Sequence, residues 1–295
     1  MKRHLALLVA AGFAAATTAF AAAPQRIVSV GGSTTEIVVA LGARDLLAGV
    51  DTTSLYPPSV TSLPNVGYVR QLSAEGLLSL RPDLVLAGSE AGPATALAQA
   101  RAAGVEIVTM SEGYTPEAVV AHIETVGRAL GRAAEAARLA EAFGADMTQV
   151  EGDIARVEAK PRVLFILQTS RGASLVSGTD TAAHAMIELA GGVNAVTAYR
   201  GYKPFSPEAA ALAAPDVILM TEQTVDAIGG KDSVLSAAAF AATPAGRNGR
   251  FVTMDALYLA GFGPRLAHAL HDLAAKLHPT HDFAPLPERP WTKAE

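Results

Sequence analysis

The 295-residue chain contains no cysteine. Disulfide scaffolds, thiolate nucleophiles, cysteine zinc sites and lipid-anchored cysteines are therefore excluded. Charged residues make up only 17% of the chain, and the 28 acidic residues outnumber the 23 basic ones, which argues against a general nucleic-acid binder. Half of the residues are hydrophobic, which excludes a disordered chain and is sufficient for one large domain or two medium ones.

The first 23 residues have the three parts of a secretory signal peptide. Lys2 and Arg3 precede an apolar run from Leu5 to Ala15, and the small residues up to Ala23 offer cleavage sites of the A-x-A type. The apolar run is shorter than the roughly 20 residues of a transmembrane helix. We therefore expect a soluble periplasmic protein without a membrane anchor, with a net charge that falls from −5 to −7 on cleavage.

From Pro24 onward, short apolar runs alternate with helical stretches, which is typical of parallel β-α-β units. The stretch 116–160 contains no strand signal, and Gly131 is expected to divide it. Its second piece, residues 132–160, is predicted to be one long helix, with two ordinary packing helices as the alternative. The β-α pattern restarts after Pro161.

These patterns predict an α/β protein with two Rossmann-like lobes, each built on a parallel sheet, joined by one long rigid α-helix. The predicted organisation is a signal peptide over 1–23, an N-terminal lobe over 24–131, a linking helix over 132–160 and a C-terminal lobe over 161–295. An internal repeat supports two lobes, because residues 73–86 align without gaps on residues 206–219. In both copies we expect a serine N-cap, a glutamate in the first helical turn and a stop at proline.

The segment 66–76 reads Val-Gly-Tyr-Val-Arg-Gln-Leu-Ser-Ala-Glu-Gly. Together with residues 26–42, 46–51 and 261–265, it resembles the periplasmic haem-binding proteins of bacterial ABC importers, in the group that also holds siderophore and vitamin B12 carriers. The resemblance covers essentially the whole chain after the signal peptide. It implies a monomeric, non-enzymatic carrier that captures one haem between its lobes and delivers it to an ABC permease dimer.

Tyr68 and Arg70 are the strongest ligand-binding candidates. A phenolate is a hard anionic donor suited to ferric iron, and tyrosine is a known type of axial haem ligand. Because free tyrosine has a pKa of about 10, ligation at neutral pH needs the iron and a nearby positive charge. If the backbone is extended, Arg70 lies on the same side as Tyr68 and can donate to the phenolate. The alternative is a loop tyrosine that packs its ring beside a solvated arginine.

Four further residues are predicted to line the cleft. Arg171 lies in a loop over residues 168–172, after the first strand of the second lobe, where sheets of this type bind ligands. Some proteins of the resembling family bind a second haem through a histidine in this loop, and this loop has none. Tyr202, Lys203 and Tyr258 are placed in other loops as cleft candidates, with surface positions as the alternative.

The resemblance also implies that Glu75 and Glu208 dock onto arginines of the permease. A carboxylate in a first helical turn is stabilised by the helix dipole and can accept a bidentate arginine. The alternative is that both glutamates only stabilise their own helices. The pair is separated by the same 133 residues as the two copies of the repeat.

Other functions find less support in the sequence. A ferric siderophore or cobalamin carrier on the same fold is the main alternative. The histidines do not form an obvious set with carboxylates from both lobes, which weakens a bare Zn²⁺ or Mn²⁺ site. A tyrosine-ligated haem enzyme would need a distal acid–base residue that the sequence does not mark, and catalytic motifs such as H-E-x-x-H are missing.

Overall fold

The computed structural model describes residues 24–170, 173–235 and 237–294. The predicted signal peptide and Arg171 lie outside these residues. The first lobe consists of β1 (Ile27–Val30), α1 (Gly32–Ala40), β2 (Leu47–Val50), α2 (Ala74–Ser79), β3 (Leu84–Ala87), α3 (Ala94–Ala102), β4 (Glu106–Thr109) and α4 (Pro116–Ala129). Its strands form a parallel sheet in the order β2-β1-β3-β4, as the β-α alternation predicts.

The second lobe follows the linking helix α5 (Ala133–Ile154). Its strands are β5 (Arg162–Ser170), β6 (Ala173–Ser177), β7 (Val193–Asn194), β8 (Tyr202–Phe205), β9 (Val217–Thr221) and β10 (Phe251–Met254). Its helices are α6 (Ala182–Leu189), α7 (Pro207–Ala213), α8 (Glu222–Ala227), α9 (Lys231–Leu235), α10 (Ala238–Ala241), α11 (Pro244–Asn248), α12 (Ala256–Ala260) and α13 (Leu266–Leu277).

The second sheet is mixed rather than parallel, so the prediction of two parallel sheets is wrong for this lobe. Its order is β10-β9-β5-β6-β8, with β7 beside the start of β5. Strands β9 and β10 are parallel to their neighbours, whereas β6 is antiparallel to both β5 and β8. The difference arises because β5 continues beyond Leu167 to Ser170 and pairs with the segment that follows it.

Gly131 divides the helical stretch between the lobes, as predicted. Its φ of 66° is left-handed and ends the run of α4 before α5 begins. Helix α5 ends at Ile154, six residues earlier than the predicted boundary at 160, and spans about 33 Å at roughly 1.5 Å per residue. Its buried residues recur every three or four positions and pack against α4 in one lobe and α13 in the other.

The repeat is reproduced in three dimensions. Ser73 and Ser206 cap α2 and α7, accepting hydrogen bonds from backbone N–H groups three residues later. At the ends of these helices, Arg81 and Ala214 both adopt positive φ, 47° and 44°, one residue before a proline. The predicted serine caps and proline stops are therefore confirmed.

The repeat extends to side chains that pin each helix to its sheet. The carboxylate of Asp83 accepts the N–H of Arg26 at 3.1 Å, and that of Asp216 accepts the N–H of Arg162 at 2.9 Å. The guanidinium of each arginine donates to a backbone carbonyl oxygen at the end of the helix that precedes the aspartate. Arg26 donates to Leu80 at the end of α2, at 2.9 Å, and Arg162 donates to Ala213 at the end of α7, at 3.0 Å. The two lobes thus present α2 and α7 in equivalent local frames.

One hydrophobic cluster runs through both lobes. Ile37 of α1 and Leu270 of α13 belong to it, together with Phe143, Met147 and Val150 of α5. The outer face of each sheet has its own smaller cluster. Because the lobes share a close-packed core along α5, movement of one lobe against the other would disturb that packing.

Candidate functional site

The loop that follows β2 presents Tyr68 and Arg70 to solvent. Three of its side chains, Val66, Val69 and Leu72, are buried in the outer cluster of the first lobe. The polar residues between them are consequently turned away from the core. Tyr68 keeps 41% of its surface exposed, so its phenol is accessible from solvent.

Backbone hydrogen bonds hold this loop from both sides. Thr52 donates its N–H to the carbonyl oxygen of Gly67 at 3.0 Å, beside the end of β2. On the other side, Gly92 donates to Val69 and accepts from Leu72, at 2.9 and 2.8 Å. The exposed phenol is therefore carried on a fixed backbone, which reduces the conformational entropy lost when a ligand binds.

The backbone at Tyr68 is a turn and not extended. Its carbonyl oxygen accepts the N–H of Gln71 at 2.8 Å, so Tyr68 and Arg70 are the first and third residues of a β-turn. The predicted geometry, with both side chains on one side of an extended strand, is therefore wrong. Arg70 makes no hydrogen bond to Tyr68 among the described contacts.

Tyr202 lies on strand β8 of the second lobe. Its ring packs against Phe165 of β5, with the ring centroids 6.4 Å apart. The Thr181 hydroxyl and the Ala183 N–H at the start of α6 lie near its phenolic oxygen and act to lower its pKa. Burial raises the pKa of Tyr202, so the hydroxyl stays protonated and its hydrogen is available as a donor.

The charge of Arg70 acts on two phenols, Tyr114 of the first lobe and Tyr202 of the second. Arg70 lies close enough to Tyr202 and Tyr114 to act against the rise that burial causes in the pKa of each phenol. Tyr114, which the sequence reasoning did not single out, is 45% exposed and follows the carboxyl end of β4. The position of Tyr114 after a strand could have identified it from the sequence, because ligands of such sheets bind beyond the carboxyl ends of the strands.

The other predicted cleft residues lie in different settings. Lys203 is next to Tyr202 on the edge strand β8, not in a loop, and its ammonium sits 5.3 Å from the ring centre of Tyr199. Because successive residues of a strand point to opposite faces, Lys203 lies on the far face from Tyr202. Arg171 falls outside the described residues and stays a prediction.

Tyr258 lies on helix α12, not in a loop, and its hydroxyl is already used. It donates to the carboxylate of Asp272 at 3.0 Å, and its ring faces the guanidinium of Arg265 at 5.0 Å. Burial, followed by the charge of Asp272, raises its pKa. These contacts tie Tyr258 to the junction of the lobes rather than to the Arg70–Tyr114–Tyr202 group.

A buried ion pair joins the lobes at this junction. Arg265 donates from Nε and Nη2 to the two carboxylate oxygens of Glu36, at 2.9 and 2.6 Å, and the side chains are only 11% and 4% exposed. The guanidinium also stacks on Tyr56, 3.5 Å from the ring centre. Burial raises the pKa of Glu36, and the adjacent Arg265 opposes that rise. The pair connects residues 229 positions apart.

The two docking candidates occupy equivalent surface positions. Glu75 and Glu208 lie in the first turns of α2 and α7, and both are exposed. A hydrogen bond to its own N–H, followed by one to the Ser206 hydroxyl, lowers the pKa of Glu208. One turn further along α7, Leu212 is 87% exposed, while Ser79 occupies the corresponding position of α2.

The described residues contain neither a cluster of metal-ligating side chains nor a membrane-spanning helix. Within the ranges given above, no group of three or more His, Asp or Glu side chains is arranged to hold a metal ion. Over the same residues, no helix is both long and apolar enough to cross a bilayer.

Two α/β lobes on either side of a cleft, with a core that continues along one connecting helix, define a two-lobed substrate-binding protein. The chain belongs to the periplasmic binding protein family, whose sequence profile matches residues 27–258.

Several known proteins are similar over most of the chain. The periplasmic heme-binding protein BhuT in complex with two hemes is 46% identical, with a TM-score of 0.83 over 86% of this chain and 98% of its own. The apo periplasmic heme-binding protein RhuT from Roseiflexus sp. RS-1 is 40% identical, with the same TM-score and coverage. A cobalamin-binding protein of Halobacterium salinarum is 27% identical over 87% of this chain and 70% of its own.

Proposed function

We propose that this protein captures haem in the cleft between its lobes and delivers it to an ABC permease. The observation that carries the proposal is Tyr68, a half-exposed phenol on a backbone fixed from both sides. Arg70 lies two residues further along the same loop, and its charge acts on Tyr202 of the other lobe. Similarity to BhuT and RhuT at 46% and 40% identity supports haem as the ligand.

The chemistry of the cleft suits ferric haem. Tyr68 supplies a phenolate oxygen to ferric iron when the metal displaces its proton. Arg70 also offers a bidentate donor for a porphyrin carboxylate. Haem is transported in this proposal, so the protein acts as a carrier and not as an enzyme.

Cobalamin is the second candidate ligand, because the relative from Halobacterium salinarum is described as a cobalamin-binding protein. Corrin cobalt has no need of an anionic phenolate, so the exposed tyrosine favours haem over cobalamin. A ferric siderophore would compete for the same cleft.

Delivery requires a surface that the permease recognises. Glu75 and Glu208 project from equivalent helix starts, and carboxylates in that position accept bidentate arginines. Two equivalent lobes suit a permease dimer with two-fold symmetry. We further infer that residues 1–23 direct export and are removed, that the lobes meet the linking segment near residues 131 and 161, and that the carrier acts as a monomer.

A titration with ferric haem followed by absorption spectroscopy tests the ligand. We expect a stoichiometric Soret shift with high-spin, oxygen-ligated bands, which Tyr68→Phe abolishes while keeping the ring. Tyr199→Phe is the matched control, because that hydroxyl donates to the backbone oxygen of Val176 away from the cleft. If ferric haem causes no spectral change with the wild-type protein, and a cobalamin or ferric siderophore binds tightly, the proposal of haem as the ligand fails.

A further inference from the structure

Two tyrosine hydroxyls remain without a protein partner at the surface of the cleft. The chain has six tyrosines, all of them described. The hydroxyls of Tyr199 and Tyr258 are hydrogen-bonded, that of Tyr56 is buried, and Tyr202 is a partly buried side chain. Tyr68 and Tyr114 are 41% and 45% exposed, and neither hydroxyl bonds to another described residue. Among these six side chains, only these two are both exposed and without a described hydrogen bond at the hydroxyl.

The backbone of Tyr114 is fixed by the helix that follows it. Thr115 caps α4, with its hydroxyl accepting the N–H of Ala118 at 3.2 Å. On the other side of Tyr114, β4 ends at Thr109, and Met110 still pairs with the first sheet. The phenol is consequently held at the strand end of the first lobe, as Tyr68 is.

The ring of Tyr114 is held from the second lobe. It packs edge-on against Phe262, with the ring centroids 5.4 Å apart and the planes at 60°. Phe262 is buried and adopts a positive φ of 49° in the loop that carries Arg265. Since Arg265 is fastened to Glu36, the loop that supports Tyr114 is fixed relative to the first lobe.

The surroundings of Tyr114 keep its phenol neutral. Burial raises the pKa of Tyr114, followed by the charge of Glu90, while Arg70 opposes the rise. The carboxylates of Glu112 and Asp180 act in the same direction as Glu90. A neutral phenol is a hydrogen-bond donor, in contrast to the phenolate proposed for Tyr68.

We propose that Tyr114 is a second ligand-contacting phenol of the cleft, held in place from the opposite lobe by Phe262, and that its hydroxyl donates a hydrogen bond to an anionic oxygen of bound haem. This inference rests on the proposed function. The acceptor is either a porphyrin carboxylate or the iron-bound oxygen of Tyr68, since both are anionic oxygens within one binding site.

Tyr114→Phe tests the hydroxyl. Loss of one charge-assisted hydrogen bond raises the dissociation constant for haem about tenfold, whereas the thermal midpoint of the apo protein stays unchanged because the hydroxyl has no described protein partner. Tyr199→Phe is again the control for removal of a phenol elsewhere. A Tyr114→Phe variant that binds haem as tightly as the wild type overturns the proposal. If the wild type does not bind haem at all, the proposed function fails instead.

Haem dimethyl ester distinguishes the two acceptors. If Tyr114 donates to a porphyrin carboxylate, the tenfold penalty of Tyr114→Phe shrinks with the ester, which lacks the charged oxygens. If it donates to the phenolate of Tyr68, the penalty persists with the ester and the charge-transfer band of the haem complex shifts. Both results support the hydrogen bond and differ only in its acceptor.

Phe262→Leu tests the positioning role and keeps an apolar side chain in the buried site. We expect Phe262→Leu to weaken haem binding in the wild-type background. In a Tyr114→Ala background it should cause no further loss of haem affinity, because Phe262 then has no tyrosine ring to position. Equal losses in both backgrounds would show that Phe262 acts on the fold in general and would remove it from the proposal.

Discussion

Removal of one partner from the ion pair between Glu36 and Arg265 is expected to destabilise the junction between the lobes. Replacing Arg265 with methionine keeps an unbranched side chain that can still pack against Tyr56. It leaves the carboxylate of Glu36, whose side chain is only 4% exposed, without its partner. The variant therefore tests the pair without opening a large cavity.

The magnitude follows from the burial of both groups. Removal of one partner from a buried pair costs about 3–5 kcal/mol, because an uncompensated charge remains in the interior. Replacing both Glu36 and Arg265 with methionine restores much of that loss, since no charge is left to desolvate. The matched control is Arg200→Met, because Arg200 pairs with Asp180 at the surface, where solvent screening leaves an ion pair little effect on stability.

The penalty also depends on pH. Without Arg265, burial keeps the pKa of Glu36 above that of the unfolded chain, so the folded protein holds a proton that the unfolded protein releases. The cost of Arg265→Met is therefore greatest near neutral pH and falls as the pH drops toward 4.5, the ordinary pKa of the group.

Chemical denaturation measures these free energies, and the protein carries its own probe. Its single tryptophan, Trp291, donates from the indole N–H to the carbonyl oxygen of Pro264 at 3.1 Å, next to Arg265. Tryptophan fluorescence thus reports the junction, and circular dichroism reports the whole fold. Two results would refute the reasoning. One is a decrease in the free energy of unfolding that is no greater for Arg265→Met than for Arg200→Met. The other is a decrease for the Glu36→Met/Arg265→Met variant that equals the sum of the decreases for the two single variants.

Three further outcomes are expected. Arg70→Ala weakens haem binding less than Tyr68→Phe and raises the pH midpoint of the Soret titration; an unchanged midpoint means that Arg70 does not assist ligation. Glu75→Ala/Glu208→Ala binds haem normally but fails to support uptake in vesicles with the reconstituted transporter, and normal uptake would remove both residues from docking. Burial lowers the pKa of His278, so stability falls as the pH drops below about 6.5; the loss between pH 7 and 5 in denaturation curves is smaller for His278→Gln, and equal losses contradict this.

Much of the fold was predictable because its signals are local. Gly131 ends a helix through its own backbone conformation, and Ser73 and Ser206 cap helices through bonds that reach three residues. The parallel sheet of the first lobe follows from β-α alternation alone. The match of residues 27–258 to the periplasmic binding protein family agrees with the resemblance seen in the sequence.

The features that were predicted incorrectly depend on contacts with segments that the local sequence does not reveal. Strand β5 extends to Ser170 because β6 pairs with it, which makes the second sheet mixed. Tyr202 and Lys203 were predicted to lie in loops because β8 is an edge strand whose extended conformation depends on its pairing with β6. The turn at Tyr68 exists because the loop is hydrogen-bonded to two neighbouring segments.

The sequence by itself determined the two lobes, the division at Gly131 and the paired positions of Glu75 and Glu208. The tertiary structure alone decided which groups meet across the cleft. It set Tyr114 against Phe262 and joined Glu36 to Arg265 over 229 positions. No spacing rule reaches that far, because such contacts are fixed by the close packing of the lobes along α5 and not by the backbone of any one segment.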